Sequence, residues 1–272
     1  MSIRRRARTA LTAGLAASAI VATVVVVARA EAAAIALPPA NATFDYQIGD
    51  PYTPPAGVTV VSRDREANPA AGLYNICYVN AFQTQPHEAQ WWQDNHDDLL
   101  LKDDDGEYVV DGEWNEILLD VSTANKRAAI ADIVHEWIDG CATGGFAAVE
   151  PDNLDSWTRS DGLLTEDDAM AFASLMATHA HAAGLAIAQK NAAGIGDAGR
   201  DAGLDFAIAE ECGRFDECDA YTGTYGSHVI VIEYRQRDFN RACDDWGDQL
   251  SVVLRDRNVT APGSGTYQYD AC

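Results

Sequence analysis

Residues 144–155 read Gly-Gly-Phe-Ala-Ala-Val-Glu-Pro-Asp-Asn-Leu-Asp, and this stretch decides the fold. Its apolar part is too short for a helix and is closed by a proline, which indicates a strand buried on both faces. Side chains alternate across a strand, so Phe146, Ala148 and Glu150 point to the same side. Asp152 follows directly. Carboxylates at the exit of a buried strand are either held by hydrogen bonds in a structural role or used in chemistry.

Seven further apolar runs resemble this strand. They span residues 44–48, 58–61, 73–79, 185–189, 204–209, 228–232 and 250–254. Most of them are separated by segments long enough to form a helix. Eight β/α units in about 235 residues are typical of a (β/α)8 TIM barrel, which we predict as a single α/β domain over residues 44–272.

Two of the intervening segments carry clear helix signals. The first is preceded by Ser122 and Thr123, either of which would cap it, and presents one apolar stripe formed by Ile130, Ile133, Val134, Trp137 and Ile138. The second begins at Thr165, with Asp168 placed as the far member of a capping box. It ends at Gly184, in the position of a C-terminal cap glycine.

The amino-terminal segment is predicted to be a secretory signal. Arginines at positions 4, 5, 6 and 8 precede an uncharged stretch, and Ala28-Arg29-Ala30 has the small-x-small form of a cleavage site. We assign residues 1–34 to the signal and the start of a linker, and residues 35–43 to the linker. An uncleaved membrane anchor is the alternative. Cleavage near Ala30 or Ala34 would give a secreted protein without a membrane attachment, which we expect to be a monomer.

The charge balance restricts the partners of the chain. The net charge is −23, and residues 1–30 contain five of the 19 basic residues and only neutral residues otherwise. Without that segment the charge is near −28, from 14 basic and 42 acidic residues. Such a field repels nucleic acid and anionic lipid and attracts cations. A cationic substrate, solubility outside the cell and adaptation to high salt would each account for it.

Six cysteines in an exported chain suggest disulfide bonds. Cys212 and Cys218 are close enough to close one loop, and Cys243 with Cys272 would hold the carboxyl terminus. Cys77 lies in an apolar run, so it is either a buried thiol or the partner of Cys141. Six cysteines allow 15 pairings, and spacing alone does not select among them.

In a (β/α)8 barrel the active site lies at the carboxyl ends of the strands. Here those ends carry Asp64, Glu150, Asp152, Lys190, Glu210, Glu211, Glu233 and Asp256. In the sixth strand Phe206, Ile208 and Glu210 share a face, and in the seventh Val229, Val231 and Glu233 do. Two carboxyl groups across one barrel mouth supply the acid and the carboxylate that glycosidic hydrolysis requires.

Other features of the sequence agree with a sugar substrate. Aromatic residues in or near the loops would stack on sugar rings, or simply pack the loops: Tyr78, Trp91, Trp92, Trp114, Trp157, Tyr221 and Tyr234. The sequence contains no Gly-rich phosphate loop, Gly-x-Ser-x-Gly elbow, CxxC or HExxH pattern. We therefore expect neither a metal site nor a cofactor.

Several motifs stand in a specific order and spacing. They are Ile76-Cys77-Tyr78, Leu119-Asp120-Val121, Val149-Glu150-Pro151-Asp152-Asn153 with Asp155, Thr165-Glu166-Asp167-Asp168, Gly184-Leu185, Lys190-Asn191, Glu210-Glu211-Cys212, Glu217-Cys218 and Glu233-Tyr234. In these motifs the chain resembles glycoside hydrolase family 114 over residues 44–256.

The resemblance implies a (β/α)8 barrel that cleaves α-1,4-linked galactosamine polymers internally, an endo-α-1,4-polygalactosaminidase. The catalytic acids it implies are Asp152 and Glu210, one as the nucleophile or charge-stabilising carboxylate and the other as the general acid, with the roles exchangeable. The cationic amino-sugar polysaccharide would be held by Tyr78, Glu150, Asn153, Lys190, Asn191, Glu233 and Tyr234. For Glu150 a structural role, held by loop amides, is an equal alternative.

Two other functions remain open at the level of sequence. The second strand ends in Ser62-Arg63-Asp64-Arg65, whereas the family is more acidic and aromatic there, and the segment after Tyr78 lacks the usual small residues. These loops would shape the subsites, so a hydrolase of a different amino-sugar or neutral glycan is one alternative. A non-catalytic sugar-binding barrel is the other.

Overall fold

The computed structural model describes residues 35–272. The predicted signal segment and its cleavage site lie outside these residues. Within residues 35–272, no helix combines the length and the apolar character that a membrane crossing requires.

Strands and helices alternate along most of the chain. In chain order the elements are β1 (Phe44–Gln47), β2 (Val60–Asp64), β3 (Tyr74–Asn80), α1 (Ala89–Asn95), β4 (Val110–Asp111), β5 (Glu116–Ile117), α2 (Ala124–Gly144), β6 (Ala148–Asp152), α3 (Glu166–Ala182), β7 (Ala186–Lys190), α4 (Ala198–Asp201), β8 (Phe206–Glu210), α5 (Cys212–Phe215), α6 (Cys218–Tyr225), β9 (Val229–Glu233), α7 (Gln236–Trp246), β10 (Ser251–Arg255) and β11 (Tyr269–Ala271). Short 3-10 helices span Asp97–Leu99, Ser156–Arg159 and Ala193–Ile195.

Eight of these strands form the barrel. Their order in the sheet is β1-β2-β3-β6-β7-β8-β9-β10, and every neighbouring pair is parallel. β10 returns to pack beside β1, where the backbone N–H of Ala42 donates to Ser251 Oγ at 2.8 Å. β11 pairs antiparallel with β10 at this seam. The predicted (β/α)8 barrel is confirmed, and each of the eight predicted apolar runs contributes one of its strands.

The barrel has two apolar layers because each strand is covered on both faces. Inward side chains fill the interior, among them Phe44, Ile76, Ala148, Phe206 and Ile230. Outward side chains pack against the surrounding helices, among them Val149, Ile187, Ala207, Val229 and Val231. Burial on both sides explains why these strands read as continuous apolar runs instead of alternating patterns.

α2 buries the stripe that its periodicity predicts. Ile130, Val134 and Ile138 are buried, and Ile133 and Trp137 pack partly buried beside them. The side chain of Thr123 accepts a hydrogen bond from the backbone N–H of Lys126, so Thr123 and not Ser122 is the cap.

α3 begins with the predicted capping box. Thr165 Oγ1 accepts from the backbone N–H of Asp168, and the Asp168 carboxylate accepts from the backbone N–H of Thr165 at 3.1 Å. After the helix, Gly184 takes a φ of +81°, a left-handed conformation that glycine adopts without strain. Both predicted ends of this helix are therefore confirmed to within one or two residues.

The substitution Thr165→Ala is expected to lower the free energy of unfolding by about 1–2 kcal/mol, because it removes the acceptor of the capping box. Urea denaturation of the two proteins measures the difference. Thr178→Ala is the matched control: it removes a hydroxyl from the exposed side of the same helix, where Oγ1 bonds only to the Ser174 carbonyl. If the free energy of unfolding fell equally in the two variants, the capping box would contribute no specific stabilisation.

All six cysteines form disulfides. Cys212–Cys218 and Cys243–Cys272 agree with the predicted pairs, and Cys77 bonds to Cys141. The alternative of a buried thiol at position 77 is therefore wrong. Cys77 lies on the outward face of β3, so the bond attaches a barrel strand to α2 across 64 residues of chain.

The segment from β3 to α2 is a long excursion over the carboxyl end of the barrel. Its polar tip is a turn in which the Asp103 carboxylate accepts from the backbone N–H groups of Asp105 and Glu107. The β4–β5 hairpin returns toward the barrel. It carries Trp114 in its turn and Glu116 at the start of β5.

Candidate active site

An acidic cleft opens at the carboxyl end of the barrel. Its floor is formed by side chains from β1, β3, β6, β7 and β8: Tyr46, Tyr78, Asp152, Lys190 and Glu210. Its walls come from the β4–β5 hairpin and from the loops that follow β6, β8, β9 and β10. A neighbouring depression shares Tyr78, Trp114 and Glu116 with this cleft and continues toward Asp64 and His87. Together they form one elongated acidic surface.

Asp152 is held at the end of β6 by two donors. Lys190 Nζ lies 2.8 Å from Oδ1, and the hydroxyl of Tyr78 donates to Oδ2 at 2.6 Å. Burial acts to raise the pKa of Asp152, but the Lys190 ammonium and the hydrogen bonds outweigh it and hold the pKa below its ordinary value. This carboxyl group is therefore ionised at neutral pH.

Glu210 lies at the end of β8 and has mainly neutral partners. Asn191 Nδ2 donates to Oε2 at 2.9 Å, and the hydroxyl of Tyr234 donates to Oε1. Lys190 Nζ is 3.4 Å from Oε2, farther than from Asp152. The Glu210 side chain remains 26% exposed against 17% for Asp152, so it is the more accessible of the two acids.

Lys190 brings the two predicted catalytic acids together. Its nitrogen contacts Asp152 Oδ1 at 2.8 Å and Glu210 Oε2 at 3.4 Å, so these oxygens are at most about 6.2 Å apart, the two distances added. The side chain is only 2% exposed. Burial acts to lower the pKa of Lys190, but Asp152 and Glu210 outweigh it and raise the pKa well above the ordinary value. The centre thus contains one permanent cation between acids.

Glu150 lies beneath this centre and does not line the cleft. It is fully buried, and it accepts from the Tyr46 hydroxyl at 2.9 Å and from Ser62 Oγ at 2.5 Å. Lys190 Nζ lies 3.1 Å from its Oε1. The structure does not bring Glu150 to the cleft surface, and the groups that bind it are side chains instead of loop amides. β6 directs this side chain into the barrel interior, where other side chains bind it.

Glu233 is also absent from the cleft. Val229 and Val231 of β9 face the helices, and Ile230 and Ile232 face the barrel interior. Glu233 follows the outward set, and its Oε1 accepts from the backbone N–H groups of Gly213 and Arg214 at 2.7 and 3.3 Å. The structure therefore does not place Glu233 among the residues that line the cleft, although it does share a face with Val229 and Val231. Instead it holds the start of α5.

Asn153 and Asn191 follow the strands that carry Asp152 and Lys190. The backbone of both residues has the left-handed conformation, with φ angles of +62° and +54°. Glu211, which follows β8, has the same conformation with a φ of +59°. Non-glycine residues rarely adopt this conformation, and it turns the chain sharply at each strand end. Asn191 bonds to Glu210, and Asn153 Nδ2 donates to Asn80 Oδ1 at 2.9 Å. Both asparagines line the cleft.

The aromatic residues divide into two groups. Tyr78 and Tyr234 line the cleft and donate to the two acids, and burial raises the pKa of each phenol well above its ordinary value. Trp114 lines the wall and is 46% exposed. Trp92 is fully buried. Trp91, Trp157 and Tyr221 do not line the cleft either. Burial supports the packing interpretation for Trp92 and Tyr221 but not for Trp91, which is 43% exposed.

Sequence reasoning missed several residues of the site. Tyr46 lies under Lys190 and could have been found, since it alternates with Phe44 on the inward face of β1. Glu116 had no such signal because it belongs to a two-residue strand in the excursion. Its Oε2 accepts from Asn80 Nδ2 at 2.9 Å and from Asn153 Nδ2 at 3.3 Å. Burial raises the pKa of Glu116 to about 7, and the charge of Asp152 adds to this.

A (β/α)8 barrel with an elongated acidic cleft at the carboxyl ends of its strands, and with two carboxylates brought to one point, has the architecture of the barrel glycoside hydrolases. The family comparison agrees. Residues 26–272 match the model of glycoside-hydrolase family GH114, and the chain belongs to this family.

Two solved structures share the fold. The crystal structure of Ega3 from Aspergillus fumigatus, in complex with galactosamine, has a TM-score of 0.68 and 23% sequence identity, covering 86% of this chain and 96% of that one. The glycoside hydrolase domain of PelA from Pseudomonas aeruginosa has a TM-score of 0.51 and 14% identity, covering 84% and 98% of the two chains. No curated protein matches the chain.

Proposed function

We propose that the protein is an exported, endo-acting glycoside hydrolase that cleaves α-1,4-linked galactosamine polymers. The observation that carries the proposal is the convergence of Asp152 and Glu210, 58 residues apart in the chain, on the single cation Lys190. Membership of GH114 supports the hydrolysis of glycosidic bonds. The galactosamine bound in the Ega3 structure, a protein of the same fold, supports an amino sugar as the repeating unit.

Asp152 is the nucleophile in this proposal. Its ionised carboxylate attacks the anomeric carbon while Glu210 gives a proton to the glycosidic oxygen, which leaves with one part of the polymer. The remaining sugar is bonded to Asp152. Water then attacks the same carbon and loses its proton to Glu210, and the bond to Asp152 breaks. Lys190 keeps Asp152 ionised before the attack and stabilises its carboxylate again when the bond to the sugar breaks, whereas the greater exposure of Glu210 suits repeated proton exchange.

Endo action and export have separate support. The cleft shares Tyr78, Trp114 and Glu116 with the depression that reaches His87, which favours a substrate longer than a single sugar unit. The three disulfides are typical of proteins that fold outside the cytosol. The net charge would attract a polymer of ammonium-bearing sugars, although solubility or high salt would select the same charge.

Incubation with polygalactosamine, chitosan and a neutral glucan tests the proposal. New reducing ends are expected from polygalactosamine, with oligosaccharides of mixed length as early products, and little release from the other two polymers. Release from chitosan or the glucan instead would assign a different hydrolase. Binding to any of them without release, at several salt concentrations, would favour the non-catalytic sugar-binding barrel.

Hydrolysis is expected to retain the α configuration at the anomeric carbon. Inverting enzymes keep their carboxyl groups about 6.5–9.5 Å apart to admit a water molecule, and retaining enzymes keep them about 5–5.5 Å apart. The nearest oxygens of Asp152 and Glu210 lie within about 6.2 Å, the sum of their distances to Lys190. Proton NMR of the first products measures the outcome. A β-anomer that appears first and then mutarotates would contradict the assignment of Asp152 as nucleophile.

A further inference from the structure

The carboxylates that line the cleft differ in their counter-ions. Among the described residues, six of them lie within 4.0 Å of an Arg or Lys nitrogen: Asp111, Glu113, Asp152, Asp155, Glu210 and Glu211. Glu116 is the seventh, and it has no such partner within residues 35–272. The cleft therefore contains one carboxyl group that no cation of the described chain neutralises.

The surroundings of Glu116 make its ionised form unfavourable as long as no cation is nearby. The residue is only 9% exposed, and burial raises its pKa to about 7. Its Oε2 accepts from the amides of Asn80 and Asn153, which are neutral. The side-chain hydrogen bonds that described residues donate to Glu116 all end on Oε2 and not on Oε1, and Glu116 borders both the cleft and the depression beyond Tyr78. A buried carboxylate that lines a cavity, and whose second oxygen has no donor among the described residues, is suited to bind a cation that enters the cavity.

We propose that Glu116 binds the ammonium group of a galactosamine unit beside the reacting linkage, and so selects amine-bearing polymer over N-acetylated polymer. This inference rests on the proposed function. In galactosamine the amine is on the carbon next to the anomeric carbon, so it enters the cleft close to the catalytic acids. Asn153, which follows Asp152 in the chain, also bonds to Glu116, so Glu116 lies beside the proposed nucleophile.

The discrimination has a physical basis. An ammonium group pairs with Glu116 and compensates its buried charge, whereas an acetamide leaves the carboxylate without a cation. Other carboxylates of the cleft are less suited, because each would have to give up a bond to its own arginine or lysine. The β4–β5 hairpin, through Glu116, would then decide which polymers the barrel accepts.

The test compares Glu116→Gln with the wild type on two substrates. The glutamine keeps an acceptor for Asn80 and Asn153 but removes the charge. We expect kcat/KM for fully deacetylated polygalactosamine to fall by about 10- to 100-fold, the usual effect of losing one buried charged partner, and kcat/KM for partly N-acetylated polymer to fall much less. Glu107→Gln is the matched control, since it removes the same charge from an exposed position of the same excursion. It is expected to leave both substrates unchanged.

Equilibrium binding of a galactosamine oligomer to the three proteins separates this inference from the proposed function. Weaker binding by Glu116→Gln alone supports the ammonium site even if the wild type releases no reducing ends, an outcome that would reject only the hydrolase. If Glu116→Gln lost kcat/KM equally on both substrates, Glu116 would only hold Asn153 in place, and the inference would be rejected. It would also be rejected if the variant bound and hydrolysed like the wild type, or if the wild type did not bind the oligomer.

Discussion

Asp152→Asn is expected to lower the release of reducing ends from polygalactosamine by at least about 10³-fold, as the loss of a catalytic nucleophile commonly does. The asparagine is isosteric: its amide oxygen still accepts from Lys190, and the Tyr78 hydroxyl can rotate to accept from its amide nitrogen, so the cleft keeps its shape. It no longer has the negative charge that attacks the anomeric carbon. Binding of a galactosamine oligomer should therefore change far less than kcat.

Asp104→Asn provides the control for this prediction. Asp104 is an exposed residue of the turn in the excursion, and replacing it removes the same charge far from the cleft. Both variants should unfold within about 0.5–1 kcal/mol of the wild type in urea, as conservative changes usually do. If Asp152→Asn retained more than about a tenth of the wild-type kcat, Asp152 would not be the nucleophile.

Lys190→Met is expected to lower both the activity and the stability of the protein. The substitution removes the one cation that contacts Glu150, Asp152 and Glu210. Breaking a buried ion pair from one side costs about 3–5 kcal/mol, because the remaining charges are left buried and unpaired. At pH 7 we expect a loss of that order in the free energy of unfolding, together with at least about a 10²-fold loss of kcat/KM.

The pH dependence of this variant follows from the two pKa shifts. The Lys190 ammonium holds the pKa of Asp152 below its ordinary value against the effect of burial. Without the ammonium, burial dominates and the pKa of Asp152 rises. The acid limb of the pH profile of kcat/KM should therefore move to higher pH. In the wild type, the stabilisation by Lys190 is complete below its unfolded pKa of about 10.4 and is lost only as the pH rises through the higher folded value.

Lys102→Met is the matched control. Lys102 pairs with Asp97 at 2.6 Å, but both groups lie at the surface, with side chains 33% and 48% exposed. Solvent screens a surface pair of this kind, so its loss is expected to change the free energy of unfolding little. If Lys190→Met were no less stable than Lys102→Met, or if its acid limb did not move, the central role of the Lys190 ammonium would be disproved.

The candidate site was predictable where it depends on strand ends. Asp152, Lys190 and Glu210 each end a parallel strand, and in a barrel all such ends meet at one rim. Glu233 also ends a strand and still turns away, because β9 places Val229 and Val231 against the helices. Alternation along one strand gives two faces but not which of them is the inside. That choice depends on the register between neighbouring strands.

Residues outside the strand ends were less accessible to sequence reasoning. Glu116 belongs to an excursion with no periodic pattern, and its importance lies in its contacts with Asn80 and Asn153 and in the lack of a cation. The disulfide between Cys77 and Cys141 also depends on β3 packing against α2. Contacts of this kind form between segments that are distant in the chain.

The sequence by itself determined the alternation of eight strands with helices, the capping box of α3, and the acids that end β6 and β8. These features follow from local periodicity, turn residues and chain order. Only the tertiary structure decided that Lys190 joins Asp152 to Glu210, that Glu150 lies below the cleft, and that Glu116 enters it from the hairpin. Closure of the barrel sets these contacts, because distances between side chains of different strands depend on register and packing, which no single segment contains.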